Sequence, residues 1–183
     1  MNSVNLLPEQ GAYRKLKSYQ KAEIIFDGTY HFVHRVFNRY DRTIDQMIQA
    51  ARSGKQNIAE ASMGSATSKE TELKLTNVAR ASLEELKLDY EDFIRVRHYT
   101  LWNNNHPYFK RLSALNKIPD ANYDTFKMGI EHENLEIAAN VMHGLICVCS
   151  FLLKNQIAAL EKIYLKQGGF NERMYQARKK VTK

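Results

Sequence analysis

Residues that break helices are scarce in this sequence. Its 183 residues include three prolines, Pro8, Pro107 and Pro119, and eight glycines. Proline removes a backbone donor and glycine costs backbone entropy, so their scarcity leaves long stretches free to run as helix. It also argues against a sandwich or barrel, which needs turn residues roughly every 8–12 positions. Cysteine is scarcer still. Cys147 and Cys149 stand two residues apart, and on a helix their side chains diverge by roughly 200° and cannot join. A disulfide framework is excluded, and free thiols point to a reducing cytoplasm. The first residues, MNSVNLLPEQ, hold no basic segment followed by an apolar run, so no secretory signal is expected. The nearest thing to a membrane span, residues 137–153, is interrupted by Asn140, His143 and Ser150. It falls short of the roughly 20 apolar residues a bilayer needs, so a buried helix is expected and no membrane partner. Nor is there a Gly-rich phosphate loop, a Walker pattern or a dinucleotide fingerprint, and no cofactor is implied.

What remains is 44% hydrophobic, enough for one substantial core and a single domain. Apolar residues recur at three and four from Ser18 to Tyr40, through Ile25, Phe26, Thr29, Phe32, Val33, Val36 and Phe37, and predict a first helix. Asp41 or Thr43 caps a second, carrying Ile44, Met47, Ile48, Ala51, Ile58 and Ala59, with Ser53-Gly54 weakening its middle. The small, polar stretch 63–68 is a loop, and Thr67-Ser68-Lys69-Glu70 is a capping box for a third helix. Its stripe runs through Leu75, Val78, Ala79, Ser82, Leu83, Leu86, Tyr90, Phe93 and Ile94. From 95 to 125 the periodicity fails, and a long connection with a short helix around 108–115 is expected. A last helix over 126–167 is apolar nearly all round between Val141 and Leu153, so its outer side is expected to meet another subunit. These elements predict an all-α, antiparallel up-and-down four-helix bundle over 18–167. An N-terminal arm (1–17) precedes it, and a basic extension (168–183) with a short amphipathic stretch follows.

The formal net charge is +7 and unevenly placed. Residues 161–183 carry seven Lys or Arg against Glu161 and Glu172, whereas 68–94 carry four against seven acids. A basic chain suggests an acidic partner such as RNA, DNA or an anionic protein surface. The candidate contacts are Arg95, Arg97, Lys110 and Arg111 in the connection and Arg173, Arg178, Lys179 and Lys180 in the tail, with Tyr13-Arg14-Lys15-Leu16-Lys17 as a further basic segment. Phosphate binding needs only such density, and Tyr99, Tyr108 and Tyr175 can stack on unpaired bases. A solubilising surface accounts for the same residues.

No catalytic motif and no metal set emerges. A di-metal bundle site needs Glu-x-x-His pairs, which are missing. His31 and His34 lie one turn apart and read as surface or core packing, and Glu131, Glu133 and Glu136 read as a solvated face. His143 and Cys147 form an i, i+4 pair, but a thiol in an apolar run is raised in pKa and inert. Binding rather than catalysis is expected.

Three segments carry a resemblance. They are residues 46–60 with Asn57-Ile58-Ala59-Glu60, then Thr67-Ser68-Lys69-Glu70, and Leu75–Leu86 with Ser82-Leu83-Glu84-Glu85-Leu86. They resemble the four-helix-bundle family of 23S rRNA intervening-sequence proteins. The later segments Ala138-Ala139-Asn140-Val141-Met142, 156–161 and 168–178 are similar to its branch of four helix bundle suffix proteins. The resemblance implies a cyclic homo-pentamer, and relatives that include a basic, RNA-binding accessory protein of retroelements. Ala61 stands where many relatives have Gly, and the 95–125 insertion is additional. Asn57, Glu60, Ser82 and Glu85 are the family positions. A structural role is expected for them, with Asn57 and Glu60 fixing the loop after helix two and Ser82 letting helices approach. A protein-interaction scaffold is the alternative function.

Overall fold

In a computed structural model of the chain, residues 12–65 and 68–167 are described. Among them all regular structure is helical. A 3₁₀ turn, Ala12–Lys15, precedes six α-helices: α1 (Lys17–Val36), α2 (Thr43–Gly64), α3 (Lys69–Val96), α4 (Pro107–Leu115), α5 (Tyr123–Ile130) and α6 (Leu135–Gln167). The four long helices pack in pairs, α1 against α2 and α6, and α3 against α2 and α6. Their shared core holds Ile25, Phe32, Met47, Ile58, Leu83, Leu86, Tyr90, Met142 and Leu145, all fully buried. The Tyr90 hydroxyl donates to Thr29 Oγ1 at 3.2 Å, which satisfies two polar atoms inside an otherwise apolar interior.

The helix boundaries follow local chemistry. Ser68 is the N-cap of α3, its side chain accepting from Thr71 N–H, one position later than the expected Thr67–Glu70 box, whose Thr67 lies outside the described residues. Asp41 Oδ1 accepts from Thr43 N–H at 2.9 Å just ahead of α2, but the N-cap position is Arg42 rather than Asp41 or Thr43, and it carries no side-chain cap bond. Helix α2 continues through Met63 and Gly64, so the loop is shorter than expected. Gly54 does not weaken it. A Cβ there would lie 2.8 Å from Leu83 Cδ2, so the missing side chain is what lets α3 seat Leu83 against α2.

Three expectations need correction. Helix α1 stops at Val36 rather than Tyr40, because Phe37 is extended and Asn38 makes a local turn, accepting from Tyr40 N–H and from Asp41 N–H. Tyr40 is consequently exposed. The inward stripe of α3 begins with Glu72, Thr76 and Ala79, while Val78 faces out. Glu72 tolerates that burial because Lys69 Nζ sits 2.7 Å from its carboxylate. Thr76 donates its hydroxyl to the Glu72 carbonyl.

The single helix expected over 126–167 is two. An Asn122–Thr125 capping box starts α5 as early as Tyr123. The chain then breaks at 131–134, where Asn134 Oδ1 accepts from Glu136 N–H and caps α6. Within the connection α3 reaches Val96 and ends in a full Schellman turn. His98 takes φ 57°, its N–H bonds the Arg95 carbonyl, and Tyr99 N–H bonds the Ile94 carbonyl. The short helix expected near 108–115 is α4. The start of the arm (1–11) and the extension (168–183) lie outside the described residues, while Lys17 already belongs to α1.

Candidate nucleic-acid interface

From 95 to 117 the chain carries Arg95, Arg97, Lys110, Arg111 and Lys117 and not one Asp or Glu. The structure exposes all five side chains. Arg95 pairs with Asp92 on its own helix at 2.6 Å, and Arg97 lays its guanidinium 3.9 Å over the Phe93 ring. The side chains of Lys110 and Arg111 on α4, and of Lys117, make no hydrogen bond or ion pair among the described residues. Arg173, Arg178, Lys179 and Lys180 lie outside those residues. Of the basic segment 13–17, Lys17 Nζ is engaged by Asp120 at 2.9 Å.

One buried amide fastens the start of the connection to α6. Asn140 Oδ1 accepts from Trp102 N–H at 2.8 Å, and its Nδ2 donates to the Thr100 and Glu136 carbonyls. This is why a polar residue interrupts the apolar run of α6. Trp102 is buried, with His106 stacked on it at 4.8 Å and Tyr108 tilted at 5.4 Å. Tyr108 remains about half exposed. Pro107 at the first turn sets the start of α4. Leu112 then docks α4 on α6 at Gly144, where a Cβ would come within 2.5 Å of Leu112 Cδ2. Between α4, α5 and α6 lies a cavity of about 450 Å³, floored by Trp102, Leu112, Phe126 and Val141, with Arg111, Asp124 and His132 among its lining. Unpaired cations and a half-exposed ring therefore sit on an ordered, apolar-backed surface.

Of Asn57, Glu60, Ser82 and Glu85, the first and third join a bonded chain between two helices. Asn57 Nδ2 donates to the Ser53 carbonyl at 2.9 Å and to Ser53 Oγ at 3.2 Å, and Ser53 Oγ lies 3.0 Å from Ser82 Oγ. This chain ties α2 to α3 rather than fixing the loop. Glu60 and Glu85 are exposed, Glu85 beside Asp45 and Asp89 on a polar groove between α2 and α3. Burial pushes the Asp89 carboxyl up, and Asp92 and Glu85 push it further.

Among the described residues no group of three or more His, Cys, Asp or Glu is arranged to hold a metal. His34 bonds the Tyr30 carbonyl, and His31 keeps a buried Nε2 without a protein partner. Glu131 and Glu136 are not merely solvated. Glu131 accepts from the Tyr123 hydroxyl and Glu136 from Thr100 N–H, each fastening a loop. His143 Nε2 lies 2.9 Å from Glu91 Oε1. Cys147 Sγ stands 4.0 and 3.9 Å from the two ring nitrogens, so it lies on the lone-pair axis of neither. Desolvation pushes its thiol up despite Lys87 nearby.

Sequence reasoning missed Lys21, a buried lysine on α1. The one available signal was a charge four residues before Ile25, on the register that faces inward. Comparison of the chain with protein-family models, curated proteins and solved structures finds no match.

Proposed function

We propose that this chain is a non-enzymatic, cytoplasmic, homo-oligomeric protein that binds RNA or another nucleic acid through phosphate contacts. The observation that carries the reading is the acid-free stretch 95–117, where Lys110, Arg111 and Lys117 are exposed with side chains unengaged among the described residues, and Tyr108 lines the same cavity as Arg111. Cations that no carboxylate engages keep their charge for phosphates, and a half-exposed ring beside Arg111 suits a stacked base. An antiparallel up-and-down bundle of α1, α2, α3 and α6 is supported by their pairwise neighbours. Kinship with the 23S rRNA intervening-sequence proteins, and a pentamer, rest on the resemblance of residues 46–86 and 138–178. The His143–Cys147 geometry favours binding over catalysis.

Assembly is supported by α6. Its span Leu135–Leu165 is long and apolar enough to cross a membrane by length and composition, yet only half of its most apolar window is buried. Phe151 is 62% exposed, and Leu88 on neighbouring α3 is 52% exposed. A second copy of the chain would cover such a face. The same face favours the scaffold reading, in which it holds a different protein.

Fluorescence anisotropy with a structured RNA between about 50 and 200 mM salt tests the nucleic-acid reading. The expected result is a log–log slope of roughly −0.7 to −0.9 per phosphate contact, made shallower by Lys110→Ala and Arg111→Ala. No binding at low salt, or binding indifferent to salt, would refute it. Native mass spectrometry reads the ring size. A partner captured through α6 after nuclease treatment would select the scaffold.

A further inference from the structure

A second cavity, of about 410 Å³, opens where the first turns of α1 meet the segment after α4 and the side of α6. Three of its lining residues are lysines, Lys17, Lys21 and Lys117, and Asp120 is the one acid among them. Lys17 occupies that acid, and the Lys117 side chain is unengaged among the described residues.

Lys21 is the decisive residue. It is only 8% exposed, and among the described residues its ammonium has no carboxylate beside it. Asn116 Oδ1 accepts from Nζ at 2.7 Å, and the Phe126 ring lies 4.3 Å away. Both contacts orient the charge without neutralising it. The neighbouring Cys149 cannot do so either. Its thiol donates to the Ser18 carbonyl, and burial pushes it up to about 12, so it is not a thiolate at neutral pH. An uncompensated buried charge is costly, and it persists where an anion completes it.

We propose that this cavity binds a small phosphate monoester, its phosphate seated among Lys21, Lys17 and Lys117 and its organic part along Ile118, Val148 and Leu152. Three ammonium groups against one carboxylate leave two positive charges, which match a phosphate monoester of roughly −1.5 to −2 at pH 7. A lone phosphate would leave much of the volume empty, and the apolar wall gives the remainder a partner. Asn116 is itself fixed, its Nδ2 donating to the Leu112 carbonyl, so the ammonium is aimed before any ligand arrives. The positive end of α1 adds charge of the same sign at this mouth.

Titration calorimetry of the full chain with butyl phosphate, inorganic phosphate and pentanoate is the test. Butyl phosphate is expected to bind once per chain, more tightly than inorganic phosphate or pentanoate. Lys21→Met should weaken it roughly tenfold or more, and Lys117→Ala, at an exposed position, by a smaller factor. Should Lys21→Met fail to fold, Lys117→Ala decides alone. The site is disproved by no saturable heat at millimolar ligand, or by unchanged affinity in the folded variants. Equal binding of pentanoate overturns the phosphate assignment. Lys117 belongs to both readings, but Lys21 has no part in the nucleic-acid one and butyl phosphate is titrated without RNA, so failure here leaves that reading to its own salt test, and failure of that test leaves this site standing.

Discussion

The α2–α3 pair and the connection at 97–134 lie against one core but are fastened to it differently. Between α2 and α3 a continuous stripe, Ile44, Met47, Ala51 and Ile58 facing Ala79, Leu83, Leu86 and Tyr90, is buried along both helices. Leu83 seats over Gly54, where a Cβ would lie 2.8 Å from its Cδ2. The connection is held at separate points: Trp102 through Asn140, Leu112 at Gly144, and Phe126 and Ile130 on α5. A stripe shares its load over many neighbours, so damage to it is felt by the whole fold. Point attachments fail one at a time and leave the remainder in place, as expected of a surface segment that carries function on a rigid scaffold.

The largest effect should come from the stripe. Leu83→Ala removes a fully buried side chain and leaves a hole opposite Gly54. A loss of about 2–5 kcal/mol is expected, read as a single cooperative shift in denaturant midpoint. Partial unfolding confined to α3 would break the comparison.

Lys21 joins the connection, through Asn116, to α1, which itself packs on α2. Burial lowers its pKa from 10.5 to about 8. Between those values the unfolded chain holds the extra proton, so stability rises with pH. Below about 8 both states are protonated and the full cost is present. Lys21→Met should therefore stabilise the anion-free chain at pH 7, by up to about 3 kcal/mol. That gain should shrink as pH climbs toward 10.5, measured by chemical denaturation at each pH. A destabilised variant would show the ammonium to be compensated.

Asn140→Leu strips partners from Trp102 N–H and the Thr100 carbonyl. About 1–3 kcal/mol should be lost locally. Hydrogen exchange should quicken through 99–115 while α2 and α3 keep their protection. Uniform acceleration would show that the connection belongs to the main cooperative unit.

The smallest changes concern helix ends. Ser68→Ala removes the α3 cap and should cost about 1 kcal/mol. His98→Gly relieves a side chain at φ 57° and should gain about 1 kcal/mol. Thermal melts of the two variants should move in opposite directions.

The amino-acid pattern by itself determined the helical class, the course of α2 and α3, the start of α3 near Ser68 and the short helix after Pro107. Each is written in residues within a few positions of one another, where periodicity, capping hydroxyls and proline act locally. Only the tertiary structure decided the break at 131–134, the left-handed His98, the bond between Ser53 and Ser82, and the burial of Lys21 against Asn116. The last two join residues 29 and 95 positions apart. No local rule specifies which polar side chain will face another once the helices pack, because that depends on how the intervening chain brings them together.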